Sequence, residues 1–409
     1  MGIAVITEFG AAGDGKTLCT DAIQRAVDSQ PEGGTVVVPA GTFLTGTIQL
    51  RSNTVLYLEP GAILRGAPDM EAYWANGFRH NEMGETISLL YALDAENIAV
   101  RGRGTIDCSG RRFMDLDTLV PPGVPPDRLS TEQVEECVVM FKARPNQPIF
   151  FHNCARIAVE DICIRDAPCW TLTFSCCRDV RVTGIVVDNH PRFPNNDGIH
   201  LSASRDVLIS NCRLSCGDDC IAMTCITDWD GMTENVIVSD CILSSRSAAV
   251  RMGHLASRVE QVLVRGCIIH NTNRGFAVFA GDGGHVRHVS VADIQLQTRV
   301  YAGGWWGKGE PAVICAAESK GEIAGISFSR IRGRCENPFL IAGTDGNVSD
   351  VSLADIQLKI SQGRNHALYA DSFDMEPNCR PGRMPGCGGW IYSSGVTGLN
   401  LDRIRAELV

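Results

Sequence analysis

Val207-Leu-Ile-Ser-Asn-Cys-Arg-Leu214, Val236-Ile-Val-Ser-Asp-Cys-Ile-Leu243 and Val262-Leu-Val-Arg-Gly-Cys-Ile-Ile269 are three copies of one pattern. Each has an alternating apolar run, a polar pair and a second apolar run. Period-two alternation buries one face of a strand, and Asn, Asp or Gly in the polar pair supplies a sharp bend. Ile157–Ile164, Val180–Val187, Val289–Leu296 and Val351–Leu358 continue the series, with weaker copies near Val55, Ile98, Ile326 and Leu399. From Ile157 to Val289 the first positions lie 23, 27, 29, 26 and 27 residues apart. A unit this short cannot bury its apolar face alone, whereas stacked units can. The repeat predicts an all-β chain wound as a parallel β-helix, its coils about 4.8 Å apart. A leucine-rich solenoid would need a helical half in each unit, and a propeller about 40 residues per blade.

Composition agrees with a globular chain. Of 409 residues 44% are apolar and 21% charged, which excludes disorder and collagen. The net charge of −10 argues against a nucleic-acid partner and against docking on an anionic membrane. No apolar run of 18 residues is present to span a bilayer. The opening Met1-Gly-Ile-Ala-Val-Ile-Thr-Glu-Phe-Gly10 has no basic n-region and no long apolar h-region, so a cytoplasmic site is expected unless a leader has been removed. The 18 cysteines include no Cys-x-x-Cys pair, so no metal and no cofactor are expected. Cys212, Cys241 and Cys267 occupy one place in three copies and read as an inward stack of free thiols.

A single domain over residues 1–409 is expected. The N-terminal cap, about residues 1–35, carries a helix over Ala22–Val27, capped by Thr20 or Asp21 and followed by Gly33-Gly34. Residues at about 111–148 and 299–311 break the repeat and read as long loops, where binding determinants concentrate. Gly10-Ala-Ala-Gly-Asp-Gly-Lys-Thr17 satisfies the phosphate-loop expression. That loop requires a doubly wound α/β context, which a solenoid lacks, so these residues read as a tight turn leading into the cap.

The chemistry concentrates in Asn195-Asn-Asp197-Gly-Ile-His200 and Cys216-Gly-Asp218-Asp219-Cys220. Asp197 and Asp218 are 21 residues apart, about one coil, which puts the three carboxylates on one flank of the stack. Crowded carboxylates repel, so one keeps its proton at higher pH and can serve as a general acid for acetal cleavage.

At these residues the chain resembles glycoside hydrolase family 28, the polygalacturonase family. Phe9-Gly-Ala-Ala-Gly-Asp-Gly-Lys-Thr17 and Gly104-Thr-Ile-Asp-Cys-Ser-Gly110 are similar to two of its N-terminal segments. Asn195-Asn-Asp197 resembles its Asn-x-Asp motif, and Gly217-Asp-Asp-Cys220 its Gly-Asp-Asp motif. The resemblance implies a right-handed parallel β-helix and single-displacement hydrolysis with inversion. It further implies Asp218 as general acid, with Asp197 and Asp219 holding and activating the attacking water.

Against the family pattern, Arg274-Gly-Phe276 is followed by Ala277-Val278-Phe279 in place of the uronate-gripping Arg-Ile-Lys. Ala248 stands where the family's Gly-His-Gly has its His, with His254 displaced downstream, and Met223-Thr224 replaces a frequent lysine. A uronate without cations is poorly matched, so a neutral sugar is expected. Asn195, His200, His254, Arg274 and Phe279 are the substrate-binding candidates, with Trp305 and Trp306 as stacking surfaces in a glycine-rich loop. The expected function is exo-acting, inverting hydrolysis of plant-derived, pectic or related oligosaccharides or glycosides. Polygalacturonase or exo-galacturonidase activity proper, a polysaccharide lyase and a non-catalytic carbohydrate-binding β-helix are the alternatives.

Overall fold

A computed structural model describes residues 2–121, 123–228, 230–303, 305, 307–316, 320–369 and 389–409. The copies stack in register: Ile157, Val180, Val207, Val236, Val262, Val289, Ile326, Val351 and Leu399 are successive parallel Cα partners. Two parallel sheets follow from this winding, one of 22 strands and one of 11, and the fold is a right-handed parallel β-helix.

The polar pair makes the bend as expected. Asp161, Asn211, Asp240, Asp293 and Asp355 have φ of 59, 56, 57, 59 and 53°, and Gly184 and Gly266 take the same place at 68 and 65°. Left-handed backbone is open to Gly and tolerated by Asn and Asp, whose short side chains bond locally. Between the bends, the inward Val and Ile side chains are buried, each contributing roughly 1.5–3 kcal/mol. Cys212, Cys241 and Cys267 lie in this core as free thiols.

Three local expectations need correction. The helix spans Thr20–Asp28, and its N-cap is Cys19, which makes no side-chain capping bond. Thr20 Oγ1 instead accepts the Gly46 N–H at 2.7 Å, tying the helix to the first coils, while Ala22, Ile23, Ala26 and Val27 close the core. Second, the cap contributes strands: Gly2–Val5 pairs with Gly34–Val38, and Asp14–Leu18 with Gly41–Thr45. The phosphate-loop look-alike is a turn in which the Asp14 carboxylate accepts the N–H groups of Lys16 and Thr17, both at 2.8 Å.

Third, the long insertion is ordered. Met114–Leu119 and Val139–Phe141 form an antiparallel pair, and Ser130 with Gln133 caps the helical turn Thr131–Val134. Glu136 joins this insertion to the second one by accepting the Ala302 N–H at 3.0 Å and pairing with Arg299. A further hairpin, Ala75–His80 with Gly84–Ile87, pairs antiparallel and has no counterpart in the repeat.

Candidate active site

The shorter sheet positions the site. Leu172, Ile199, Ile221 and Val250 are successive Cα partners on four of its strands. Two residues before each lie Trp170, Asp197, Asp219 and Ala248, and Ala248 pairs in turn with Arg274. The fold thus sets Trp170, Asp197, Asp219, Ala248 and Arg274 in one row at the edge where the chain enters the sheet. Asp218 sits beside this row, and all six line one cavity of about 180 Å³.

Local hydrogen bonds fix the carboxylates. Asn196 Oδ1 accepts from the N–H groups of Gly217 at 2.6 Å and Asp218 at 3.1 Å, which turns that segment toward the cavity. The Asp218 oxygens accept the N–H groups of Asn195 at 3.2 Å and Asp219 at 2.9 Å. Arg144, from the long insertion, donates to Asn195 Oδ1 at 2.9 Å. Asp219 Oδ1 accepts the Ser247 hydroxyl at 2.8 Å and the Ala248 N–H at 2.9 Å. On its other oxygen it meets Arg251 Nε, which lies in the next outward-facing row.

Asp218 is pushed well above the usual carboxylate range, by burial first and then by the charges of Asp197 and Asp219. Asp197 is raised as well, by burial and then by Asp219. Arg251 opposes both shifts. Asp218 and Asp197 are thus the members of the trio biased toward the protonated form, and the Asp218 oxygens are held by the N–H groups of Asn195 and Asp219. His200 is neutral, pushed down to about 3 by burial and then by Arg251. Its Nε2 lies 3.0 Å from Thr224 Oγ1 and its Nδ1 lies 3.1 Å from Asp197 Oδ2.

The far end of the cavity is walled by the hairpin tip, Glu82 and Met83. The N–H groups of both donate to His80 Nδ1 at 3.0 Å, and Asn81 Nδ2 donates to the Ile226 carbonyl. Glu82 accepts from His254 Nε2 at 3.1 Å. Burial pushes Glu82 up, but the His254 hydrogen bond and charge, then Arg251 and His80, outweigh it and keep it low. His80 packs edge-on to Trp170, which stacks on His200 at 3.9 Å, so aromatic rings link the hairpin to Asp197.

The structure brings Asp197, Asp218, Asp219, Asn195, His254, Arg274 and Phe279 to the cavity wall. It places His200 behind Asp197, wholly buried, rather than against a ligand. Trp305 also departs from its expected place: its ring packs on Val138 and Tyr301, and Nε1–H donates to the Glu136 carbonyl at 2.9 Å. The long insertion folds over that loop and makes the ring core. Trp306 lies outside the described residues. Arg274 is buried against Glu310, 3.3 Å between Nη2 and Oε1. Among the described residues, no group of three or more His, Cys, Asp and Glu side chains is arranged to take a metal ion.

The sequence profile of glycosyl hydrolases family 28 matches residues 29–372. The chain belongs to family 28. It is 26% identical over 329 residues to a probable polygalacturonase of Vitis vinifera, covering 73% of this chain and 62% of that one. An exo-poly-α-D-galacturonosidase of Dickeya chrysanthemi is 27% identical over 320 residues, with coverage of 68% and 53%. The chain thus spans between about half and three fifths of the length of these curated relatives. Among solved structures, a hyperthermoactive exopolygalacturonase from Thermotoga maritima superposes with a TM-score of 0.70 at 22% identity, covering 88% and 87% of the two chains. That likeness concerns the fold.

Within this family 28 chain, the repeat analysis missed Glu82, Met83, Trp170, Ser247 and Arg251. Arg251 had a usable signal. It lies between Val250 and Met252, both inward, so strand parity alone turns it outward one coil from Asp219.

Proposed function

We propose that this chain hydrolyses glycosidic bonds with inversion, releasing a terminal neutral residue from pectic or related oligosaccharides. The observation that carries this reading is the buried Asp218, its pKa raised by burial and by its neighbours, set beside Asp197 and Asp219. Asp218 gives its proton to the glycosidic oxygen as the bond to C1 breaks. A water held by Asp197 and Asp219 attacks C1 from the opposite face and loses its proton to that pair. Arg251 lies against both carboxyls of that pair, 2.6 Å from Asp219 and 3.9 Å from Asp197, and neutral His200 fixes the orientation of Asp197.

Exo action is supported by the hairpin tip, whose Glu82 and Met83 line the cavity. The names of the Dickeya and Thermotoga relatives fit that mode. The charge of the cavity favours a neutral residue. Beside Asp218, the proton donor, its lining carries Asp197, Asp219 and Glu82, while its two arginines, Arg251 and Arg274, already face Asp219 and Glu310. A uronate carboxylate would enter against this excess of like charge.

The test compares wild type with Asp218→Asn on aryl glycosides and pectic oligosaccharides. Turnover should fall at least about a hundredfold, the low end of what general acid catalysis contributes. Product anomers followed by NMR should be inverted. A retained configuration, or an Asp218→Asn protein with full turnover, overturns the reading.

A further inference from the structure

Three anchors fix Glu82 at the cavity. Its N–H and that of Met83 both donate to His80 Nδ1, Asn81 is tied to the Ile226 carbonyl, and its carboxylate meets His254 Nε2. The tip of the hairpin is therefore set before any ligand arrives. His254 is 3% exposed, yet it lines the cavity, and its Nδ1 has no hydrogen-bond partner. A buried ring nitrogen left unmatched is costly, and a ligand that meets it recovers that cost. Glu82 adds acceptor capacity, since one ring N–H fills only one of the several lone-pair sites on a carboxylate. A hydroxyl suits both groups. It donates to the carboxylate, and it donates to or accepts from Nδ1 in whichever form the ring takes. A carboxylate beside an imidazole thus reads hydroxyl groups.

The pair also has a fixed place relative to the reaction. Asp219 Oδ1 accepts the Ala248 N–H at 2.9 Å, where the strand Ala248–Met252 begins. Arg251, three residues on, meets Asp219, and His254 lies just past the strand's other end, against the hairpin. Glu82 is near enough for its charge to act on Asp197 and on Arg251. Asp218 and Asp219 therefore take the scissile end of a bound sugar, and Glu82 and His254 its opposite side. Across a pyranose ring from C1 stands C4, with the C6 group beside it. In a neutral hexose C6 carries a hydroxyl, which can donate to Glu82. In a uronic acid C6 is a carboxylate, which has no proton to donate and brings like charge against like.

We propose that Glu82 and His254 are the specificity pair of the terminal subsite, binding the C4 and C6 hydroxyls of a neutral hexose and turning a uronic acid away. The proposal rests on the exo-hydrolase reading above and names its substrate class. To the loss of cations at Ala277 and Phe279 it adds an active exclusion, by a carboxylate that the hairpin supplies.

Binding of D-galactose and D-galacturonate, which differ only at C6, is measured by calorimetry near neutrality in the Asp218→Asn background, so turnover plays no part. Galactose should bind the more tightly. Glu82→Gln should tighten galacturonate at least about tenfold and weaken galactose severalfold. A damaged fold cannot produce that gain. Glu82→Ala, which removes charge and hydrogen bond together, should show the same gain for galacturonate. His254→Phe should weaken galactose without improving galacturonate, because the Glu82 charge remains. Arg330→Gln, on the outer face beside Asp293, should change neither. The proposal is overturned if both Glu82 variants leave galacturonate affinity where it was, and a preference for galactose that persists in them would leave the neutral-residue reading standing by itself. A parent protein that binds galacturonate better than galactose overturns both together.

Discussion

Arg251 Nε lies 2.6 Å from Asp219 Oδ2, and Nη2 of the same guanidinium lies 3.9 Å from Asp197 Oδ2. The Nε–H is not aimed at a hydrogen-bond acceptor, so the contact is ionic rather than a directed bond. One cation thus serves two carboxylates on neighbouring coils, and its own pKa is raised because they outweigh the penalty of burial. Its charge also lowers Asp218. Arg251→Gln should therefore move both limbs of the kcat/KM profile to higher pH, by about one unit or more, since a unit is only ~1.4 kcal/mol. The maximum should fall at least about tenfold. Limbs that stay in place would show that Arg251 does not set these protonation states.

Asp218 should weaken the fold that it serves. Its folded pKa is raised above the ordinary 3.8. Its contribution to stability is present below that value and is lost as pH rises toward the folded pKa, because ionisation is easier in the unfolded chain. Asp218→Asn removes this titration. The variant should melt at least ~2 °C above wild type at pH 7, with the difference shrinking toward pH 4. Thermal unfolding across that range tests it, and a difference that does not change with pH is the contrary result.

His200 contacts Asp197 and Thr224 but does not line the cavity. His200→Phe keeps a flat ring under Trp170 and deletes both bonds. The expected loss, about tenfold or more, falls on kcat with KM little changed, the signature of an interaction that matters in the transition state. A rise in KM alone would place His200 in ground-state binding.

The hairpin tip should control product length. Replacing Asn81-Glu82-Met83 with Gly-Gly-Gly removes the Glu82–His254 pair and the bond from Asn81 to Ile226. Wild type should release single residues from a pectic oligosaccharide, and the variant a mixture of longer fragments. Chromatography of early products decides, and unchanged single-residue release would clear the hairpin of this role.

Oligogalacturonides should be poor substrates, with neutral-terminated glycosides better by tenfold or more in kcat/KM. Ala248, Ala277 and Phe279 form an apolar cluster at the cavity wall where the family pattern has ionisable groups. A side-by-side measurement in which oligogalacturonides win by tenfold would refute the missing-cation argument.

What could be seen in the sequence was whatever repeats. Between Ile157 and Val289 the Val-x-Val runs and the Asn, Asp and Gly bends recur every 23–29 residues, so their stacking and the meeting of Asp197 with Asp218 and Asp219 followed from spacing alone. Contacts made once are a different matter. Glu82 reaches His254 across 172 residues. Glu136 caps the Trp305 indole across 169, which turned an expected sugar platform into core. Glu310 neutralises Arg274 from a loop 36 residues on. No periodicity announces such pairings, because each depends on how an insertion folds back over the stack.

The in-register ladder also acts as a ruler. Asp197 and Asp219 occupy equivalent positions on adjacent coils, so their backbone separation is one inter-strand step of about 4.8 Å. That step is quantised. Loops at the coil corners can lengthen, shorten or change composition without altering it, and only gain or loss of a whole coil between the two strands could. Divergence in this scaffold is therefore free to rewrite what the loops recognise while the gauge of the reacting carboxylates stays constant.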